Sequence, residues 1–174
     1  MDTPLPHPAT LPPEQLRGQC ELGTARRRGP GGQHRNKTES AVVLKHSATG
    51  VEGQASERRS QADNLRVAMK RLRVNVALEV RCLELGESAP TPLWRSRCPK
   101  GRIVINPGHD DFAALLAEAL DVVAARHGHI TSSAEQLGCT SSQLQKFLQL
   151  EPRAWQLVNQ WRKQYGLPAL ERAG

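Results

Sequence analysis

The chain has 174 residues, a formal charge of +7 at neutral pH and a pI near 9.7, and aromatic side chains make up only 3% of it. That length suits one domain with a full core or two small ones, and the scarcity of aromatics leaves burial to Leu, Val and Ala. No apolar run is long enough to span a bilayer, the proline-rich start lacks arginine, and Cys20, Cys82, Cys98 and Cys139 are spaced neither as paired metal ligands nor as a disulfide framework. The expectation is a cytoplasmic protein with reduced thiols, no metal, no other cofactor and no membrane contact.

The excess charge is local. Residues 14–81 carry 14 Lys/Arg against 7 Asp/Glu, whereas residues 82–174 carry 10 against 9. A segment so basic suits a polyanionic partner such as nucleic acid.

In chain order, Pro4, Pro6 and Pro8 mark residues 1–9 as a disordered or extended lead. Thr10 can cap a short helix entered at Pro12-Pro13, and Cys20 to Ala25 reads as a strand. The next stretch is Arg26-Arg27-Arg28-Gly29-Pro30-Gly31-Gly32-Gln33-His34-Arg35-Asn36-Lys37. Its glycines permit dihedrals closed to other residues, its proline fixes one φ, and cations flank both sides. Such a loop brings its backbone close to an anionic partner. It offers no nucleophile, general base or ligand set, only N–H groups that stabilise charge and position water. His34 and His46 are poor bases, one beside cations and the other at a strand end, and Glu39 and Glu57 balance neighbouring cations.

Ser40 to His46 is β-rich, Ser47-Ala48-Thr49-Gly50 is a turn cluster, and Val51 to Ala55 completes a hairpin. Ser60, with Asp63 three residues on, caps a helix through about residue 83 whose stripe is Leu65, Met69, Leu72, Val76, Val80 and Leu83. Arg66, Lys70, Arg71 and Arg73 lie mostly off that stripe, which predicts a helix packed on the sheet with its basic face outward. Residues 86–107 read as a Pro-rich linker anchored by Trp94 and carrying a short strand, Arg102 to Ile105. The remainder reads as helical. One helix runs from Asp110 or Asp111 to Gly128, and a second starts at Ser132 or Ser133. Gly138 turns the chain into a third through Gln143 to Leu148, and a last one runs from about Pro152 to Tyr165. The middle two have helix-turn-helix character, with Lys146 as the one cation on the second.

Three blocks in order resemble the signature of class I peptide chain release factors. They are Gly29-Pro30-Gly31-Gly32-Gln33-His34-Arg35-Asn36-Lys37-Thr38-Glu39-Ser40-Ala41-Val42, then His46-Ser47-Ala48-Thr49-Gly50, then Glu57-Arg58-Arg59-Ser60-Gln61 with Asn64 and Ala68-Met69-Lys70-Arg71-Leu72. One departure is Arg28, where the family usually has a small residue. The resemblance implies an α+β Gly-Gly-Gln domain over residues 10–85, built as a small mixed or antiparallel sheet with a packed helix. An all-helical module would follow over residues 108–174. It also implies a reaction, hydrolysis of the ester between nascent peptide and P-site tRNA in the peptidyl transferase centre, carried by Gly31, Gly32 and Gln33. In the family the backbone N–H of the glutamine stabilises the oxyanion and its side chain, commonly N-methylated, shapes the water pocket. Arg26, Arg27, Arg28, His34, Arg35, Lys37, Arg58, Arg59 and Gln61 are the expected contacts to rRNA and tRNA.

Decoding release factors carry a helical domain and a codon-reading domain before the Gly-Gly-Gln domain, and thirty residues precede Gly31 here. The expectation is therefore a short homologue, monomeric off the ribosome, that frees stalled ribosomes without reading a stop codon. The alternatives are a non-catalytic rRNA-binding or ribosome-assembly protein and a helix-turn-helix DNA-binding regulator.

Overall fold

The computed structural model describes residues 6–25, 41–82 and 88–171. Its elements are α1 (Pro13–Gly18), β1 (Cys20–Ala25), β2 (Ala41–His46), β3 (Glu52–Ala55), α2 (Gln61–Glu79), α3 (Pro92–Arg97), α4 (Phe112–Ala125), α5 (Ile130–Gln136), α6 (Ser141–Gln149) and α7 (Pro152–Gln164). The class is α+β and mostly helical. The three strands form one antiparallel sheet in the order β1-β2-β3, with Ala25 opposite Ala41, Cys20 opposite His46 and Val42 opposite Ala55.

α2 crosses this sheet and touches β3 most closely at Gly53. A Cβ there would lie 2.4 Å from the Ala68 carbonyl oxygen and from the Leu72 amide nitrogen, so only glycine lets helix and strand meet. α2 also guards the outer edge of β3: Asn75 donates to Glu52 O at 2.6 Å and Arg71 to Gln54 O at 2.8 Å. Those two carbonyls are thereby withheld from pairing with another strand. Ser60 caps the helix as expected, accepting from the Asp63 N–H at 3.3 Å. The helix stops at Glu79, with Val80 already extended.

The opposite side of α2 packs on α4, whose residues from Phe112 to Val123 are all buried. A helix buried on every side belongs at the centre of a core, and its two carboxylates, Glu118 and Asp121, are taken up by Thr91 and Arg81. One apolar cluster consequently runs from Leu44 and Ala55 in the sheet through Leu72 and Val76 to Leu116, Leu144 and Val158. Trp94 ties α3 into this cluster as expected. It donates to Leu137 O at 2.8 Å and meets Phe147 edge-on at 5.7 Å.

Several elements differ from the sequence reading. Of the proline-rich lead, residues 6–10 are described. Pro8–Thr10 is a 3-10 turn, His7 and Ala9 are buried, and Thr10 donates to His7 O rather than capping α1. α5 begins at Ile130, because Ser132 and Ser133 turn their hydroxyls back onto His129 O at 3.1 and 2.7 Å instead of serving as caps. Arg102 to Ile105 is extended without a ladder. Its Ile103 N–H goes to Gln143 Oε1 and its Val104 N–H to Arg97 O, so its β-branched side chains reflect packing and not strand pairing.

Candidate functional site

Arg26, Arg27, Arg28, Gly31, Gly32, Gln33, His34, Arg35 and Lys37 lie outside the described residues; what the structure defines is the base from which that stretch springs. β1 ends at Ala25 and β2 begins at Ala41, the two paired across the ladder, so residues 26–40 leave and re-enter the sheet at one end. β3 reaches the same end, since Ala55 pairs with Val42, and hands over there to the turn 56–60 that starts α2. This topology places Arg58, Arg59 and Gln61 beside the root of the glycine-rich stretch.

That turn is held from inside. Asn64, fully buried, accepts the Arg58 N–H on Oδ1 and donates Nδ2 to Arg58 O, both at 2.9 Å. Glu57 is clamped as well, by the Ser56 N–H at 2.9 Å and by Arg71 at 2.7 Å, and these hydrogen bonds hold its carboxyl below the usual range. Glu57 thus balances a cation, as its sequence context suggests. Arg58, Arg59 and Gln61 are exposed, and neither arginine forms an ion pair among the described residues. A fixed backbone carrying exposed guanidinium groups suits phosphate contact. Beside the turn an open recess of about 400 Å³ is lined by Ala41, Val42, Gln54, Ser56 and Arg71.

The two buried histidines are structural. His46 closes the far end of β2, bonded through Nδ1 to Thr49 Oγ1 at 2.8 Å and through Nε2 to Gln19 Oε1 at 3.1 Å, and burial lowers its pKa. His7 accepts the Ala9 N–H on Nδ1, which leaves Nε2–H to donate to Val80 O at 3.1 Å; burial pulls its pKa down to about 4.

The basic face expected on α2 is only partly present. Arg73 is internal, donating to Asp110 O at 2.7 Å and Ala9 O at 3.1 Å, because a long guanidinium can bury its stem and satisfy carbonyls between elements. Arg71 is committed to Glu57, and Lys70 lies 3.7 Å from Asp110. Arg66 pairs with Asp63 on the surface. On α7, Arg162 donates to Gly128 O at 2.6 Å and Pro168 O at 2.8 Å, while its neighbour Lys163 is exposed. Sequence reasoning did not identify the buried pair Arg81 and Asp121. Burial pushes the Asp121 carboxyl up to about 6, against the opposing pull of Arg81 at 3.0 Å and the Cys82 N–H at 3.1 Å. No described helix is long and apolar enough to cross a membrane.

Residues 13–89 match the family model described as the RF-1 domain. Over 58 residues the chain is 45% identical to "Peptide chain release factor 1" of Ureaplasma parvum, a span covering 33% of this chain and 16% of that protein. Over 50 residues it is 56% identical to "Peptide chain release factor 2" of Variovorax paradoxus, covering 29% and 14%. It is 40% identical over 76 residues to "Peptide chain release factor 1-like, mitochondrial" of Rattus norvegicus, covering 41% and 19%. The matched span is thus under a fifth of the length of each of these relatives. No solved structure matches the chain.

Proposed function

We propose, for a chain that belongs through residues 13–89 to the class I peptide chain release factor family, codon-independent hydrolysis of peptidyl-tRNA on the ribosome, in the manner of a rescue factor. Gly31, Gly32 and Gln33 carry the chemistry. The Gln33 backbone N–H stabilises the oxyanion that develops as water attacks the ester, and the Gln33 side chain, open to N-methylation, shapes the pocket that admits water. Preorganised donors in a water-poor site act on developing charge without any general base. Arg26, Arg27, Arg28, His34, Arg35, Lys37, Arg58, Arg59 and Gln61 meet rRNA and tRNA phosphates around the loop. The observation that carries the reading is the shared sheet end, where the root of the Gly-Gly-Gln stretch, at Ala25 and Ala41, adjoins a clamped turn with two exposed arginines. The reaction is expected in the cytoplasm, with the ribosome as partner.

The test is peptide release from ribosomes programmed with and without a stop codon in the A site. Equal release from both is expected, and Gly32→Ala, whose added Cβ restricts the backbone that presents the Gln33 N–H, should lower the rate by about 100-fold or more, the scale of a misplaced oxyanion donor. Release that requires the stop codon would overturn codon independence. An undiminished rate in Gly32→Ala would overturn the catalytic assignment.

A further inference from the structure

Lys100 and Arg102 come from one stretch of sequence and Lys146 from another, and the fold sets the two stretches side by side. The extended strap 102–106 and the 3-10 turn Pro99–Gly101 before it run beside the α5–α6 corner. A Cβ on Gly101 would lie 3.4 Å from Gly138 O, and the Ile103 N–H donates to Gln143 Oε1 at 3.3 Å. Ile103 and Ile105 pack against the core, while Lys100, Arg102 and Val104 are exposed, Val104 at 55%. Lys146 stands one turn beyond Gln143 on α6 and is also exposed.

The charge there has one sign. Residues 88–109 and 136–150 contain no Asp or Glu. Four carboxylates of the helical part are engaged elsewhere: Asp111 with Arg97 at 2.6 Å, Asp121 with Arg81 at 3.0 Å, Glu151 with Arg153 at 2.9 Å, and Glu118 with the Thr91 hydroxyl and amide at 2.6 Å each; Glu135, exposed on α5, is the acidic residue nearest in sequence to the corner. Lys100, Arg102 and Lys146 form no ion pair among the described residues. The near balance of formal charge in this part of the chain therefore conceals a cationic ledge.

We propose that this ledge binds the phosphate backbone of RNA, as a second contact distinct from the turn at 56–60. The choice of RNA rests on the ribosomal function proposed above. Solvated Lys and Arg with one small apolar side chain, and no exposed aromatic anchor, match a phosphate backbone better than a protein interface, whose centres favour Trp and Tyr and exclude Lys.

The experiment titrates the full chain and its Lys100→Gln/Arg102→Gln/Lys146→Gln variant against a labelled RNA duplex of about 20 base pairs, from about 50 to about 200 mM salt. Each lost phosphate contact lowers the slope of log affinity against log salt by about 0.7 to 0.9. The variant slope should thus be shallower by about two, and the parent should lose roughly twenty-fold more affinity over that range. An unchanged slope in a variant that still folds by circular dichroism overturns the ledge, as does a parent chain that does not bind RNA or prefers DNA of the same sequence. Peptide release measured in parallel separates the two readings, since a chain inactive in release but steep in salt dependence counts against the loop chemistry alone.

Discussion

Gly53→Ala tests whether α2 is seated on the sheet as described. The added Cβ would lie 2.4 Å from both Ala68 O and Leu72 N, and 2.6 Å from Leu72 Cβ, about 1 Å inside ordinary contact. The first two are helix backbone, so no rotamer change relieves them; α2 must shift away from β3. Overpacking of a core typically costs 1–3 kcal/mol. Because α2 is packed on its other side by α4, the upper end applies, about 3 kcal/mol. For a chain of this size each kcal/mol moves Tm by about 2–4 °C, so a fall of about 6–12 °C is expected by circular dichroism. Gly23→Ala is the control, a strand glycine whose Cβ would find only ordinary 3.7 Å contacts to Val43. A Gly53→Ala variant that melts within a degree or two of the Gly23→Ala variant would refute the seating of α2.

The pH dependence of stability should be flat between about 4 and 6, because two buried groups oppose each other. His7, lowered to about 4, contributes stability present above its unfolded value of 6.5 and lost as pH falls; Asp121, raised to about 6, contributes stability present below 3.8 and lost as pH rises. Each shift is worth roughly 3 kcal/mol, and His46 and Glu118 add to the respective sides by direction. Urea unfolding of His7→Gln should reveal stability falling with pH across that window, and of Asp121→Asn stability rising; parallel profiles for both would refute the assignment. Arg162→Ala should lower stability by about 2 kcal/mol through two lost charge-assisted hydrogen bonds, seen as a Tm fall of about 4–8 °C, whereas Lys163→Ala should leave it within experimental error.

Local chemistry made the skeleton legible. Ser60 caps the helix that its side chain announces, and Gly138, at φ +67, turns the corner between α5 and α6, where Thr140 supplies a cap the sequence reading did not name. What the sequence concealed is where charges go once helices pack. Arg73 read as part of an outward basic face, yet it ends on two carbonyls between elements, and Arg81 and Arg162, which no local pattern marks, likewise end on a carboxylate and on carbonyls, a fate decided by tertiary neighbours. The strap at 102–105 misled for a related reason. Its alternating pattern is real, with Ile103 and Ile105 inward, but it records packing against a helical corner, where the Ile103 N–H goes to the Gln143 side chain and the Val104 N–H to Arg97 O. At the site, the cations of the 56–60 turn were legible from the resemblance, and the Asn64 clamp beneath them was visible only as one residue in a motif.

These buried arginines also join the two halves of the chain. Arg73 spans from Ala9, before the sheet, to Asp110, before α4, and Arg81 at the end of α2 reaches Asp121 within α4. Arg153 extends the connection, donating to Asn75 Oδ1 at 2.7 Å while Asn75 itself caps the edge of β3. Removing one partner of such buried pairs leaves a charge or carbonyl unsatisfied, so the links resist being broken singly. α2 thus serves both halves: Gly53 and Leu72 hold it to the sheet from which the Gly-Gly-Gln stretch springs, and Val76 and Arg73 hold it to the helical part. A helical part attached in this way sets the position of the loop root wherever it docks. On the proposed function, RNA contact at the Lys100, Arg102 and Lys146 ledge would therefore constrain where the loop is presented, as a lever arm does.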